Sequence, residues 1–393
     1  MTDDRPYDIV LLGCTGFTGG LTAEYLAQHA PADLRWALAG RNRQKLEALR
    51  DRLRDLADRP GEIELLETDL TDRASLDRVA GQTKVLITTV GPYALHGEPV
   101  VAACAAAGTD YVDLTGEPEF VDRMWNLHHE TAVRTGARLV HCAGFDSIPH
   151  DLGAYFTVQQ LPEGVPITVQ GYVRAGGAVS GGTYHSAVNA FGRARQTVQE
   201  AKKRRAREPR PEGRRVHGIK RPVHRDAAQG GWVVPLPTID PQIVLRSARA
   251  LERYGPDFSY GHYMVAKRAT TVGLLGVGLG AIGLLAQTKP TRDLLLKVKD
   301  QGDGPTPAQR AKHWFRVRFV GEGGGKRVVT KVSGGDPGYD ETARMLAETG
   351  LCLALDDLPQ TAGQVTTAQA MGDALLARLQ RSGLTFEVLE PAA

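Results

Sequence analysis

Residues Tyr7-Asp8-Ile9-Val10-Leu11-Leu12-Gly13-Cys14-Thr15-Gly16-Phe17-Thr18-Gly19-Gly20 run from four consecutive apolar side chains into glycines spaced three apart. A short apolar run of this kind suits a strand buried on both faces. Gly13 can turn the chain sharply because it has no Cβ. Gly16 lets backbone approach a phosphate closely, and Gly19 lets the following helix pack tightly on the strand. The free N–H groups and positive end of that helix then face an anion. The spacing is GxxGxxG rather than GxGxxG, so the motif by itself marks a glycine turn between strand and helix as readily as a nucleotide site.

The next junction narrows the choice. Residues 34–40 read as a second strand ending at Arg41-Asn42-Arg43. A domain that binds NAD usually has an acidic residue there for the ribose 2′-hydroxyl, and one that binds NADP has an arginine for the 2′-phosphate. No carboxylate stands at this place, and a guanidinium can grip a phosphate with paired hydrogen bonds. The expected cofactor is therefore NADPH, with Arg41 on the 2′-phosphate.

Strands and helices then alternate. A charged helix is expected over 44–58, and strands over 63–69, 84–89, 109–116 and 138–144. Helices are expected over 97–107 and 118–134. This alternation predicts a Rossmann-type, doubly wound parallel α/β sheet. Ligands of such sheets lie beyond the carboxyl ends of the strands. Asp69 is placed to meet the adenine, and Gly91, Pro92 and Tyr93 to meet the nicotinamide end. Gly13, Thr15, Gly16, Phe17, Thr18 and Gly19 complete the expected cofactor set.

These residues add up to a family. Gly13 to Gly19, Ala39-Gly40-Arg41, Gly91-Pro92-Tyr93 and Tyr111-Val112-Asp113-Leu114-Thr115-Gly116-Glu117 resemble the NADP-binding domain of saccharopine-dehydrogenase-like oxidoreductases. Cys142-Ala143-Gly144-Phe145-Asp146-Ser147-Ile148-Pro149-His150-Asp151-Leu152-Gly153 resembles the branch that holds the trans-acting enoyl reductases of actinobacteria. Asp240-Pro241, Tyr254-Gly255-Pro256-Asp257-Phe258 and Val332-Ser333-Gly334-Gly335-Asp336-Pro337-Gly338-Tyr339 extend the resemblance over nearly the whole chain. The resemblance implies NADPH-dependent reduction of an enoyl intermediate from a polyketide synthase that lacks its own reductase. The substrate would be an acyl or polyketide thioester, carried or free. It also implies a nucleotide-binding domain over 1–150, an inserted α+β substrate domain over 151–335, and a segment over 336–393 that returns to the first domain. Two other readings stay open: a carbonyl or imine reductase of the saccharopine type acting on a small metabolite, and a non-catalytic NADP-binding protein associated with membranes.

Enoyl reduction needs a polarised thioester carbonyl and a proton for the α-carbon. The candidates near the strand ends are Tyr93, His96, Asp146, Ser147 and His150. Tyr93 could hydrogen-bond the carbonyl, and either histidine could deliver a proton near neutral pH. Each also has a plainer role: Tyr93 as a stacking group, Asp146 as a helix cap, the histidines as surface or supporting residues. No SxxK or GxSxG pattern supports a hydrolase.

The second half offers two unusual stretches. Between Lys202 and Arg225 stand eleven Lys or Arg residues and two Glu, although the whole chain is only +3. Such a run reads first as a solvated loop. An acidic carrier protein, a phosphopantetheine arm or anionic lipid head groups are its functional alternatives, and the lack of interleaved aromatics argues against nucleic acid. The second stretch, 269–288, holds no charge and is bracketed by Lys267, Arg268, Lys289 and Arg292. It reads as a buried or lid helix, a membrane-surface or acyl-binding element, or a short span. Ser180 and Thr183 are expected to open a long helix reaching past Gln199 and bounding the substrate cleft. A hairpin is expected at Glu322-Gly323-Gly324-Gly325. The four cysteines (Cys14, Cys104, Cys142 and Cys352) show no CxxC spacing, so neither a disulfide framework nor a metal site is expected. The polar N-terminus carries no signal-peptide pattern. The expected location is the cytoplasm, with the inner face of the membrane as the site of any peripheral contact.

Overall fold

In the computed structural model, residues 5–56, 63–177, 181–298 and 304–390 are described. The opening stretch forms strand β1 (Tyr7–Leu12) and helix α1 (Phe17–His29). Then follow β2 (Trp36–Gly40), α2 (Arg43–Leu56), β3 (Glu64–Glu67), α3 (Arg73–Gly81), β4 (Thr83–Thr88), α4 (Tyr93–His96), α5 (Glu98–Ala107), β5 (Asp110–Asp113), α6 (Pro118–Thr135), β6 (Arg138–Val140) and α7 (Ile148–Gln159). The strands pair in parallel in the order β3-β2-β1-β4-β5-β6. That is the Rossmann order, with its switch point between β1 and β4. Strand β6 is shorter than the 138–144 expected. Beyond Val140 the chain turns, with Cys142 at φ 65°, into a loop tied back by Ala143 N donating to the Asp113 carbonyl (2.7 Å) and Ser147 N to the Cys142 carbonyl (2.7 Å).

The second half contains β7 (Ile167–Gly176), α8 (Gly181–Gly192), α9 (Ala194–Arg207), β8 (Arg215–Gly218), β9 (His224–Asp226), β10 (Gly231–Pro235), α10 (Asp240–Ala250), β11 (Asp257–Ala266), α11 (Ala269–Leu285), α12 (Lys289–Leu296), α13 (Pro307–Arg310), β12 (Trp314–Gly323) and β13 (Lys326–Gly334). Its mixed sheet runs β15 (Thr385–Glu390), β13, β12, β7, β11, β10, β9, with β8 also on β11. The β12–β13 hairpin turns at Gly324 and Gly325, both with positive φ, as two-residue hairpins prefer. The expected long helix over 180–199 is instead α8 and α9, broken where Arg193 leaves helical geometry (φ −117°, ψ 20°). Ser180 lies outside the described residues, as does the expected end of α2 at Asp58.

The basic segment is not a simple solvated loop. It closes α9 and forms β8 and β9, and Arg204 is buried between the carboxylates of Asp122 and Glu208. Arg214 donates to the carbonyls of Ala248, Leu251 and Gly255. These guanidiniums satisfy internal acceptors, which composition alone cannot reveal.

The C-terminal segment comprises α14 (Asp340–Leu355), β14 (Gly363–Val365), α15 (Thr367–Ala370), α16 (Gly372–Arg381) and β15 (Thr385–Glu390). Strand β14 extends the first sheet beside β6, and Gly350 of α14 lies against Ile87 of β4. Strand β15 departs from the expected return, because it pairs with β13 in the second sheet. Helix α7 sits where the two sheets meet. A Cβ at its Gly153 would fall 2.4 Å from the Phe319 ring and 2.9 Å from Val332.

Candidate functional site

The glycine turn has the geometry that its sequence demands. Gly13 holds φ 87°, and a Cβ there would meet Val90 at 2.6 Å and Thr89 at 2.9 Å. Gly19 faces the turn itself: a Cβ would lie 2.3 Å from the Gly13 carbonyl oxygen. A Cβ at Gly16 would have that same oxygen at 3.5 Å as its one near neighbour, so its outer side is open. Gly16 caps α1 with no side-chain acceptor, and the first turn of α1 carries no acidic residue. Open amides, a bare backbone and a positive helix end are what a pyrophosphate needs. Thr15 is exposed and Thr18 half-buried beside it. Cys14 beneath the turn is buried, and burial pushes its thiol up to about 12.

At the end of β2, Arg41 is exposed, and its charge helps hold the Asp69 carboxyl below its ordinary range. The main cause of that lowering is hydrogen bonding from the Thr71 amide and hydroxyl, each 2.9 Å from Asp69 Oδ1. Arg41 and Asp69 thus flank one place at the carboxyl edge. Arg43 is differently engaged, pairing with Glu47 at 2.9 Å.

The loop after β4 is fixed by Glu117. Its buried carboxylate accepts from Tyr93 N (3.1 Å), Ala94 N (2.9 Å) and the Ser186 hydroxyl of α8 (3.0 Å). Gly91 is exposed and Pro92 half-buried in this loop. Tyr93 itself is buried, and its hydroxyl donates to the Thr88 carbonyl at 3.0 Å. That proton is engaged with the backbone, so the structure places Tyr93 as a strut beneath the loop. His96 is exposed at the end of α4, which Tyr93 begins.

Asp146, Ser147 and His150 come together with two residues from the second half. Asp113 anchors the loop that carries them, accepting from Cys142 N (3.1 Å), Thr115 N (3.0 Å), the Tyr111 hydroxyl (2.9 Å) and His141 Nδ1 (2.6 Å). The Asp146 carboxylate fits against Gly116, where a Cβ would lie 3.1 Å from Oδ2. Protein atoms crowd Asp146 from all sides, yet it keeps some accessible surface, as a group lining a cleft does. Burial, reinforced by the negative charge of Asp240, pushes its carboxyl up to about 7. Asp240, at the start of α10, is held ionised. His262 Nε2 of β11 lies 3.3 Å away, His150 Nε2 lies 3.8 Å away, and the Thr238 hydroxyl donates to it at 2.5 Å. Burial lowers His150 to about 4, so its ring is neutral at pH 7. Among the described residues, Ser147 Oγ, His150 Nδ1 and Asp240 Oδ1 are buried without a hydrogen-bond partner.

Three ligand atoms of His150, Asp240 and His262 lie within 4.8 Å of one another, a donor set that a divalent ion could accept. The cysteine spacing had given no hint of it. Sequence reading also missed the roles of Glu117, Asp240 and His262. Asp240 begins a helix as Asp-Pro, which reads as a plain start signal. His262 lies in a strand whose Tyr, Ser, Gly and His residues hide its burial.

The parallel sheet, its switch point and the open glycine turn define a dinucleotide-binding domain of the Rossmann class. Residues 9–138 match the saccharopine dehydrogenase NADP binding domain. A relative from Mycobacterium tuberculosis, provisionally named a trans-acting enoyl reductase, is 38% identical, with 99% of each chain covered. The trans-acting enoyl reductases of Mycobacterium ulcerans and Mycobacterium bovis are each 35% identical, with 97% and 98% of each chain covered. The chain belongs to this family of saccharopine-dehydrogenase-like, trans-acting enoyl reductases. The structure is also similar to apo saccharopine dehydrogenase (L-Glu forming) from Saccharomyces cerevisiae, with a TM-score of 0.51 at 14% identity over 98% of this chain and 100% of that one; this likeness concerns the fold. The protein is an NADPH-dependent oxidoreductase.

Proposed function

We propose that the protein reduces the carbon–carbon double bond of an α,β-unsaturated acyl or polyketide thioester delivered by a separate synthase, free or on a carrier protein. The supporting observation is the near full-length similarity to trans-acting enoyl reductases, which takes in both sheets. NADPH, when bound, supplies the hydride. The amides opening α1 hold its pyrophosphate, Arg41 its 2′-phosphate and Asp69 its adenosine half. Glu117 fixes the Gly91-Pro92 loop against the nicotinamide end. Asp146, kept protonated near neutral pH by burial and by Asp240, carries the proton for the α-carbon. The Thr238 hydroxyl orients Asp240, and His150 and His262 lie beside it. Tyr93 supports the loop from below, and His96 lies outside this arrangement.

An NADPH-oxidation screen tests this reading, using crotonyl-type thioesters of several chain lengths beside small keto acids. Oxidation with the thioesters alone is expected. Clear NADPH binding without oxidation by any thioester would reject the enoyl-reductase reading, and turnover of keto acids alone would move the protein to the carbonyl reductases.

A further inference from the structure

The sequence admits a buried or lid helix, a membrane-surface or acyl-binding element, or a short span for α11, and its exposure favours a surface that something must cover. Leu274, Val277 and Leu284 are 75%, 73% and 78% exposed, and in the following helix and its end Leu294 and Val298 are 67% and 72% exposed. The helix meets the body at its two ends, beside β10 and β11 at its start and against α8 at its last turn. Ala286 just beyond it is buried, Gly283 faces the Phe191 ring of α8, and Gln287 donates to the Phe191 carbonyl at 3.1 Å. Gly273, Gly276, Gly278 and Gly280 have open space where a Cβ would stand, so they serve no close packing among the described residues. Apolar side chains left in water in such number mark an interaction site.

Charge selects the occupant. No charged residue occurs between Ala269 and Thr288. Lys267 and Arg268 precede the helix, and Lys289, Arg292 and Lys297 follow it, with Asp293 the single acidic residue over 267–298. Lys267, Arg268, Lys289 and Lys297 are all exposed. Apolar surface between basic ends suits acyl chains beneath anionic head groups. No helix among the described residues is long and apolar enough to cross a membrane. A helix of 17 residues reaches about 25 Å, short of a hydrocarbon core of about 30 Å.

We infer that α11 and α12 form an interfacial anchor that docks the protein on an anionic phospholipid bilayer. The anchor rests on α8, the helix whose Ser186 hydroxyl donates to Glu117 beneath the Gly91-Pro92 loop. Lipid surface and cofactor end therefore meet one helix. Using this position to capture long acyl thioesters rests on the enoyl-reductase reading, whereas lipid binding does not.

Flotation of the full chain tests the inference, with vesicles of phosphatidylcholine alone or mixed with phosphatidylglycerol. The wild type is expected to float with the mixed vesicles and to be released as salt rises. The triple variant Leu274→Glu, Val277→Glu, Leu284→Glu should lose about tenfold or more of that binding, while NADPH affinity, which reports folding, stays unchanged. Lys267→Glu with Arg268→Glu and Lys289→Glu should remove the preference for the anionic vesicles. Absence of flotation with either vesicle overturns the inference. So does a wild-type dimer that the triple variant splits, because a second copy would then cover the helix. Flotation without any thioester turnover would leave the anchor standing and remove the enoyl-reductase reading.

Discussion

Asp146 is the residue through which the chemistry can be tested most directly. A carboxyl that titrates near 7 donates a proton below that pH and loses the ability above it. Turnover is expected to decline as pH rises through about 7. Asp146→Asn should lower kcat by about a hundredfold or more and flatten that limb. A retained pH limb in the variant would transfer the donor role elsewhere. Stability carries a second signature with two opposed signs. The folded pKa of Asp146 is raised, so its stabilising contribution is full below the unfolded value near 3.8 and is lost as pH rises toward 7. The folded pKa of His150 is lowered, so stability is lost as pH falls from about 6.5 toward 4. In the wild type the two slopes oppose each other across one window. Removing Asp146 leaves His150 uncompensated, so urea midpoints of Asp146→Asn should fall more steeply between pH 6.5 and 4 than those of the wild type. Arg41 carries a separate expectation. Losing one charge-assisted phosphate contact, about 1.5–3 kcal/mol, should cut the preference for NADPH over NADH by roughly tenfold to a hundredfold. Equal preference ratios for wild type and Arg41→Ala would remove the 2′-phosphate role. Arg41 stands out in the sequence as a candidate because its neighbourhood lacks a carboxylate. Asp240 does not, because its meaning depends on two histidines 90 residues before and 22 residues after it in the chain, brought together only by the fold.

Among the elements, those buried on both faces by the parallel sheet announced themselves as short apolar runs. Strand β1 and its glycines needed no tertiary context. Helix α3 was overlooked because it is short and polar, although Asp72 caps it through the Ala74 amide and Leu76, Val79 and Ala80 lie on one buried face. Strand β11 was overlooked for a different reason: its central residues from Phe258 to Tyr263 are buried, yet half of them are polar or glycine. Period and hydropathy fail there because neighbouring strands and helices, rather than the strand's own composition, exclude water. The glycine turn itself supports a paired prediction. Gly19→Ala drives a Cβ to 2.3 Å from a backbone oxygen, which cannot rotate away, so the turn must open. It should cost about 1–3 kcal/mol and abolish NADPH binding. Gly16→Ala meets nothing nearer than 3.5 Å and should leave stability within about 0.5 kcal/mol, while blocking the open side where phosphate approaches. Thermal melts with and without NADPH separate the two outcomes. Normal NADPH stabilisation of Gly16→Ala would show that the phosphate lies elsewhere.

At the scale of the molecule, an inserted domain suggests two units that could melt apart, but the packing argues for one. A single apolar core includes Ile9, Leu11 and Ile87 of the first sheet and Val317, Phe319 and Val332 of the second. Leu152, Ala154 and Val158 of α7 belong to the same core, and Gly153 lets Phe319 reach that helix. Asp151 of α7 adds a polar tie, accepting from Ser247 of α10 and from Thr367 and Ala368 of α15. The last strand then crosses back onto β13, so the second sheet cannot be completed without the chain's end. Tryptophans stand in both halves: Trp36 in β2 and Trp314 in β12. Variants keeping only one or the other should show the same thermal midpoint. A ligand that binds only the folded state stabilises everything that unfolds with its site, by about 2.7 kcal/mol at a hundredfold excess over Kd. NADPH, held at the first sheet, should therefore raise the Trp314 midpoint as much as the Trp36 midpoint. A Trp314 transition that stays in place while the Trp36 transition rises would separate the two sheets energetically, and would reduce the shared core to a contact between independent domains.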